Sequence, residues 1–235
     1  MIRYTYLMID LLSLSVPLIF SFHPRIKLYK NWNALFPSIL IVAAGYTLWD
    51  SFFTKLGIWG FNPTYLTGIR VGNLPIEEIL FFICIPYSCV FTFECLSPMI
   101  PAKFPQSSAR IINYTFAGLF TLIALAFYSR PYTASAFGLL SALIFTAVIL
   151  KTTWLTKFYL VYAVLIIPFL VVNGLLTGTG LSSPIVWYNP TGIIGARILT
   201  IPFEDIFYGM GLILANVWLY TLLRSRQRLM KRILS

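Results

Sequence analysis

The chain has 235 residues, 59% of them hydrophobic and only 10% charged, with a mean hydropathy of +0.84. Soluble domains carry about 25% charged residues, so this composition excludes a soluble globular domain and leaves a polytopic membrane protein. The net charge of +10 does not indicate nucleic acid, because the basic residues sit between apolar runs and in a C-terminal tail rather than on a polar domain; anionic lipid headgroups fit them better.

Seven apolar windows are long enough to cross a hydrocarbon core of about 30 Å: 4–22, 34–54, 77–96, 110–128, 133–150, 158–176 and 204–223. The first holds Asp10 and lacks a small-x-small cleavage pattern, so it reads as a membrane helix and not a signal peptide. His23 follows beside Pro24 and Arg25 as an interfacial polar residue. The second window ends near Trp49-Asp50 and gives way to a Gly/Pro/Asn-rich connection, 57–75. Cys84, Cys89 and Cys95 lie in the third window at a spacing that matches no zinc or redox pattern, and they read as small buried hydrophobes. With a single histidine as well, no metal site is predicted. Glu94, at the far end of that window, is expected to reach water. The sixth window, with Asn173 near its end, leads into a second long connection, 177–202. The last window runs into a short basic tail with Arg224, Arg226, Arg228, Lys231 and Arg232.

The two long connections carry one motif twice. Asn62 to Ile79 reads NPTYLTGIRVGNLPIEEI, and Asn189 to Ile206 reads NPTGIIGARILTIPFEDI. They align without a gap at an offset of 127 positions and agree at Asn62/Asn189, Pro63/Pro190, Thr64/Thr191, Gly68/Gly195, Arg70/Arg197, Pro75/Pro202, Glu77/Glu204 and Ile79/Ile206. The expected fold is therefore an all-α integral membrane protein of seven transmembrane helices, arranged as two parallel three-helix repeats joined by a linking helix (3+1+3). The first repeat is placed at 1–100, the linking helix at 101–130 and the second repeat, with the basic tail, at 131–235. Arg3, Lys55, Arg70, Arg130 and Arg197 fall on one side. Arg25, Lys27, Lys30, Lys103, Arg110, Lys151, Lys157 and the five tail residues fall on the other. The positive-inside rule then puts the C-terminus in the cytoplasm and the N-terminus outside, with both motifs on the non-cytoplasmic side.

Four of the seven acidic residues lie in the motif: Glu77, Glu78, Glu204 and Asp205. A carboxylate at mid-membrane costs about 2.5–3.5 kcal/mol on insertion scales, so a duplicated pair points to function. Each pair follows a proline and opens an apolar helix, as helix-start acids do. A cap needs neither the upstream Asn-Pro-Thr nor the arginine at fixed spacing. Adjacent carboxylates in a dry site resist ionising together, so one can hold a proton while its neighbour acts as base; which is which stays open. Asp10 and Asp50 lie in the same half of the bilayer and are second in line, with Asn173 as the counterpart of Asp50. Arg70 and Arg197 either snorkel to headgroups or pair with a carboxylate. Asn62 and Asn189 are first turn formers and then candidate site residues. Aromatics follow both pairs, namely Phe81, Phe82, Tyr87, Phe91 and Phe93, then Phe207, Tyr208, Trp218 and Tyr220. They suit core packing and interfacial belts, and ring faces can also stabilise a carbocation.

At these motifs the chain resembles the membrane-integral lycopene cyclase family, the heterodimeric bacterial cyclases and their fused relatives. The similar residues are Trp49-Asp50, Gly57-Ile58-Trp59 and LPIEEILFF from Leu74 to Phe82. In the second half they are Asn173-Gly174-Leu175-Leu176-Thr177-Gly178 and IPFEDIFYG from Ile201 to Gly209. The resemblance implies lycopene as substrate, proton-initiated closure of its linear ends to β-ionone rings without net redox change, and no cofactor. No G-x-G-x-x-G fingerprint is present. The resemblance also implies a bacterial or archaeal cell membrane, membrane lipids as surroundings and other carotenoid-pathway enzymes as partners. A proton-coupled small-solute transporter with 3+1+3 repeats is the alternative, although a sugar path needs polar groups along several helices and here they cluster at one end. A retinal protein is disfavoured by the absence of lysine from the last apolar window.

Overall fold

A computed structural model describes residues 2–100 and 106–234. Seven of its helices are long and apolar enough to cross a membrane. They are α1 (Thr5–Phe20), α2 (Trp32–Lys55), α3 (Ile76–Leu96), α4 (Gln106–Ala126), α5 (Pro131–Ile149), α6 (Leu155–Leu176) and α7 (Phe203–Leu234). All seven predicted windows are present, with ends shifted by a few residues. Apolar side chains such as Leu12, Ile19, Leu48, Leu122, Leu125 and Ile167 are largely exposed on them, as surfaces facing lipid tails require.

Three features correct or extend the sequence reading. The fold is mostly helical but not all-α, because the long connections form short antiparallel ladders. Strand β1 (Trp59–Phe61) pairs with β4 (Val186–Tyr188), β2 (Arg70–Val71) with β3 (Leu74–Pro75), and β5 (Arg197–Ile198) with β6 (Ile201–Pro202). The basic tail is helical, as α7 continues through it to Leu234. No glycine or proline follows Gly211, and such a run of good helix formers has no reason to stop where hydropathy falls. Glu94 does not simply reach water; Arg224 donates to its Oε2 at 2.5 Å. Lys103, used in the orientation count, lies outside the described residues.

The chain divides into two compact units: Met1–Phe52, Pro63–Cys95 and Leu212–Ser235 form the first, Phe53–Asn62 and Leu96–Gly211 the second. In the first, α1, α2 and α3 are tied by polar bonds inside an apolar core. Tyr87 shares a 2.7 Å bond with Ser21 and accepts one of 3.1 Å from the Trp32 indole. Ser88 donates to the Ser13 carbonyl at 2.9 Å. In the second, α4 packs on α5, where Thr121 and Ser141 share a 2.7 Å bond. Phe207 contacts Phe120 and Phe137, with ring centroids 5.3 and 4.5 Å apart.

The β2–β3 and β5–β6 ladders are the same device built twice. In each, a two-residue loop has a left-handed first position, Gly72 (φ +64°) or Leu199 (φ +57°). The shared glycines ahead of them, Gly68 and Gly195, take φ of +91° and +93°, a region a side chain would strain. Each connection then returns one backbone bond to the helix start: Ile76 N–H to the Ile69 carbonyl and Phe203 N–H to the Ala196 carbonyl, both 3.0 Å. Ser51 and Asn73 exchange two bonds, of 2.6 and 2.9 Å, that pin the first hairpin to the end of α2. Thr200 bonds Thr177 and Thr179 at 2.8 and 2.6 Å and so pins the second to the end of α6.

Candidate active site

Each unit encloses a carboxylate cluster at the start of a motif helix. In the first unit Asp10, Asp50, Glu77 and Glu78 are all buried. The Thr67 N–H donates to Glu77 Oε1 at 2.6 Å, which draws the connection down onto the first turn of α3. The Tyr6 hydroxyl, on α1, donates to Glu78 Oε2 at 2.5 Å. Asp10 lies one turn further along α1, within electrostatic reach of both Tyr6 and Glu77, and Asp50 is within reach of Tyr6. Neither oxygen of Asp10 and not Oε2 of Glu77 receives a hydrogen bond among the described residues. Their surroundings are rings: Tyr6 against Phe81 at 6.4 Å, Phe81 against Phe82 at 5.7 Å and Tyr46 against Phe82 at 5.9 Å.

In the second unit Glu204 and Asp205 are buried at the start of α7. The Ile194 N–H donates to Glu204 Oε1 at 2.6 Å, the counterpart of the bond from Thr67 at the same offset. The Thr133 hydroxyl adds a second bond to that oxygen at 2.6 Å. Asp205 is held from three sides, by the hydroxyl of Tyr132 at 2.6 Å, the amide of Asn173 at 2.8 Å and the hydroxyl of Tyr188 at 3.0 Å. Tyr132 stacks on Tyr188 and meets Trp59 and Tyr208 edge-on, at 5.8, 5.0 and 5.8 Å.

The clusters share a plan and differ in charge. Tyr6 and Tyr132 hold the second acid of each pair, and each touches the ring three residues beyond it, Phe81 or Tyr208. The first unit, however, buries Asp50 near the end of α2, whereas the residue that reaches the second pair from α6 is the neutral Asn173. It also has Asp10 where, counting from the shared tyrosine, the second has the buried Ala136. Four buried carboxylates in the first unit thus contrast with two in the second. Among the described residues both oxygens of Asp10 and one each of Glu77 and Glu204 accept no hydrogen bond, whereas Asp205 is fully braced.

The other expected residues fall outside these clusters. Asn62 donates to Ser183 Oγ at 2.9 Å and Asn189 to the Gly57 carbonyl at 3.2 Å. Asn189 Oδ1 also accepts from Thr191, so it shapes the Asn-Pro-Thr turn. Arg70 and Arg197 are exposed on their hairpins. Neither forms an ion pair among the described residues, and Arg197 donates to the Thr200 carbonyl at 2.5 Å. Tyr6, Tyr132, Thr133 and Tyr188 were not singled out by the sequence. At the 127-residue offset Tyr6 falls on Thr133 and Thr5 on Tyr132, so the duplication does not align the two tyrosines; Tyr188 has only Phe61 at its repeat position.

A family model described as lycopene cyclase matches residues 3–96 and 129–223, the two stretches that hold these clusters. A 56-residue stretch, 22% of this chain, is 34% identical to a bifunctional lycopene cyclase/phytoene synthase of Aspergillus niger, and covers 10% of that protein. The chain therefore corresponds to a small part of that relative's length. No solved structure matches. With the family match covering most of its length, the chain belongs to the lycopene cyclase family.

Proposed function

We propose that the chain is a lycopene β-cyclase, closing the linear ends of lycopene to β-ionone rings by proton transfer alone, with no flavin and no metal. Family membership supports the substrate class. One observation carries the chemistry: Asp10 is buried with neither oxygen accepting a hydrogen bond, beside a Glu77 that has one open oxygen. Burying a charge with no compensating bond is costly, whereas a carboxyl group in its acid form carries the proton that the first step consumes.

Asp10 delivers its proton to C2 of the terminal C1=C2 double bond, and the positive charge falls on C1. The C5=C6 electrons close the C1–C6 bond and leave the charge on C5. The C6 proton then departs to the open oxygen of Glu77, whose other oxygen is fixed by the Thr67 N–H. One proton enters and one leaves, so the product is an isomer and no electrons are exchanged. Glu78, held by Tyr6, and Asp50 offer negative charge to the passing cation, and the rings of Tyr6, Phe81 and Tyr46 face it with their π clouds. In the second unit Glu204 and Asp205 act as positioning groups. Their bonds close the second connection onto α7 and order the tyrosines around them.

The test is expression in a lycopene-accumulating bacterium with pigment analysis. β-carotene, or γ-carotene if one end closes, is the expected product. Unchanged lycopene from a protein shown to be inserted would overturn the reading, and proton-driven sugar uptake in vesicles would replace it with the transporter.

A further inference from the structure

Arg110 and Lys151 lie together on the second unit, far in sequence from any acid. No aspartate or glutamate occurs between Glu94 and Glu204, so neither cation has a carboxylate within its stretch of chain. Both line a cavity of about 630 Å³ at the start of α4 and the turn between α5 and α6. Its other polar walls are Asn113, Tyr114, Thr152, Thr153 and Thr156. Asn113 is 8% exposed, and its side-chain oxygen has no hydrogen-bond partner among the described residues. A buried amide without a partner, in a cavity carrying two uncompensated cations, marks a space shaped for a polar guest.

The turn that sets Lys151 there is strained. Lys151 takes φ +53° at the end of α5, where Thr152 N–H returns to the Ala147 carbonyl at 3.0 Å. Glycine is the usual residue in this helix-ending turn, and here a lysine holds the place. The remaining walls are apolar: Ala109, Val148 and Ile149 line the cavity, with Ile149 more than half exposed and Tyr114 half exposed. A free anion has no use for such walls, whereas an amphiphile does. The cavity also falls on the side that the basic residues assign to the cytoplasm, where anionic lipids collect.

We infer that this cavity is a binding site for the phosphate headgroup of an anionic membrane phospholipid, with Arg110 and Lys151 on the phosphate and the acyl chains leaving over Ala109, Val148 and Ile149. The guanidinium offers paired N–H donors to two phosphate oxygens, and the lysine adds a point charge. The open Asn113 Oδ1 can accept from a headgroup hydroxyl, and the Thr156 hydroxyl can donate to an ester or phosphate oxygen.

The test uses the full-length protein in nanodiscs of phosphatidylcholine with graded phosphatidylglycerol, comparing wild type with Lys151→Gly and Arg110→Gln. Lys151→Gly is chosen because glycine accepts the φ of this turn, so the fold is relieved while the cation is removed. Lipid binding is read by native mass spectrometry and by the thermal midpoint as phosphatidylglycerol rises. Wild type is expected to retain one tightly bound phosphatidylglycerol that each variant holds about tenfold more weakly, although Lys151→Gly melts no lower in phosphatidylcholine alone. The basic tail is unchanged in all three proteins, so its own lipid attraction cancels. Equal retention and equal midpoint shifts in wild type and both variants would overturn the site. So would a wild-type shift reproduced by inorganic phosphate in phosphatidylcholine discs, which would make it a phosphate site rather than a lipid site.

Discussion

At the scale of single residues, the two carboxylate clusters ask different things of their side chains. Asp10 holds no hydrogen bond and Asp205 holds three. Replacing Asp10 with asparagine therefore removes the proposed proton donor without removing a brace. A general acid typically contributes about 10²–10⁴-fold, so Asp10→Asn is expected to cut ring formation by at least about a hundredfold while the protein still inserts at wild-type level. Tyr132→Phe should behave in the opposite way. It deletes one of three donors to a buried carboxylate, a loss of about 1–3 kcal/mol, so the thermal midpoint in detergent should fall while the rate per folded molecule changes much less. If Asp10→Asn cyclises normally and Tyr132→Phe is the variant that abolishes turnover at full protein level, the proton chemistry sits in the second unit and the assignment is reversed.

At the scale of elements, the duplicated hairpins differ at one telling place. The first loop position is Gly72 in one copy and Leu199 in the other, both left-handed. Leu199 is 75% exposed, so little packing offsets its backbone strain. An L-residue in this region costs about 1–2 kcal/mol, part of which glycine returns through its freer unfolded chain. Leu199→Gly should therefore raise the thermal midpoint by a small amount, equivalent to about 1 kcal/mol or less; a fall would show that the leucine is held by contacts worth more than the strain. The seven helices were legible because each apolar run must be long enough to cross a bilayer, and the acid pairs because carboxylates are rare in such runs. The hairpins were not, since a two-residue strand carries no periodicity. Tyr6 and Tyr132 were hidden for a related reason. Each meets its carboxylate across more than seventy residues of chain, and nothing local marks a tyrosine at a helix start as a ligand. The sequence left Arg70 and Arg197 two roles, and their equal spacing follows from equal hairpins, on which both are exposed with no ion pair among the described residues.

At the scale of the whole molecule, orientation follows from where the positive charges stop crossing. If all seven candidate spans cross, the two termini fall on opposite sides. The side holding Arg25, Lys27, Lys30, Arg110, Lys151, Lys157 and the tail outweighs the other by twelve basic residues to five when Lys103 is included, which predicts a cytoplasmic C-terminus. The last helix shows how that end is anchored. From Phe203 to Leu223 it covers about 30 Å, one hydrocarbon thickness, and the next residue is Arg224, paired to Glu94 at the far end of α3. Arg226 and Arg228 follow on the same continuous helix, so the charges begin about one hydrocarbon thickness from the helix start. Pulling them through the bilayer would cost about 2.5–3.5 kcal/mol for each arginine on insertion scales, which makes retention of this end the cheap outcome during insertion. A fluorescent reporter that matures only in the cytoplasm, fused after Ser235, should glow, and the same reporter fused ahead of Met1 should stay dark. Replacing Arg224, Arg226 and Arg228 with glutamine should lower the C-terminal signal, since it takes away the charges nearest the last crossing. A dark C-terminal fusion on an inserted, full-length protein would reverse the orientation and place the carboxylate clusters toward the cytoplasm.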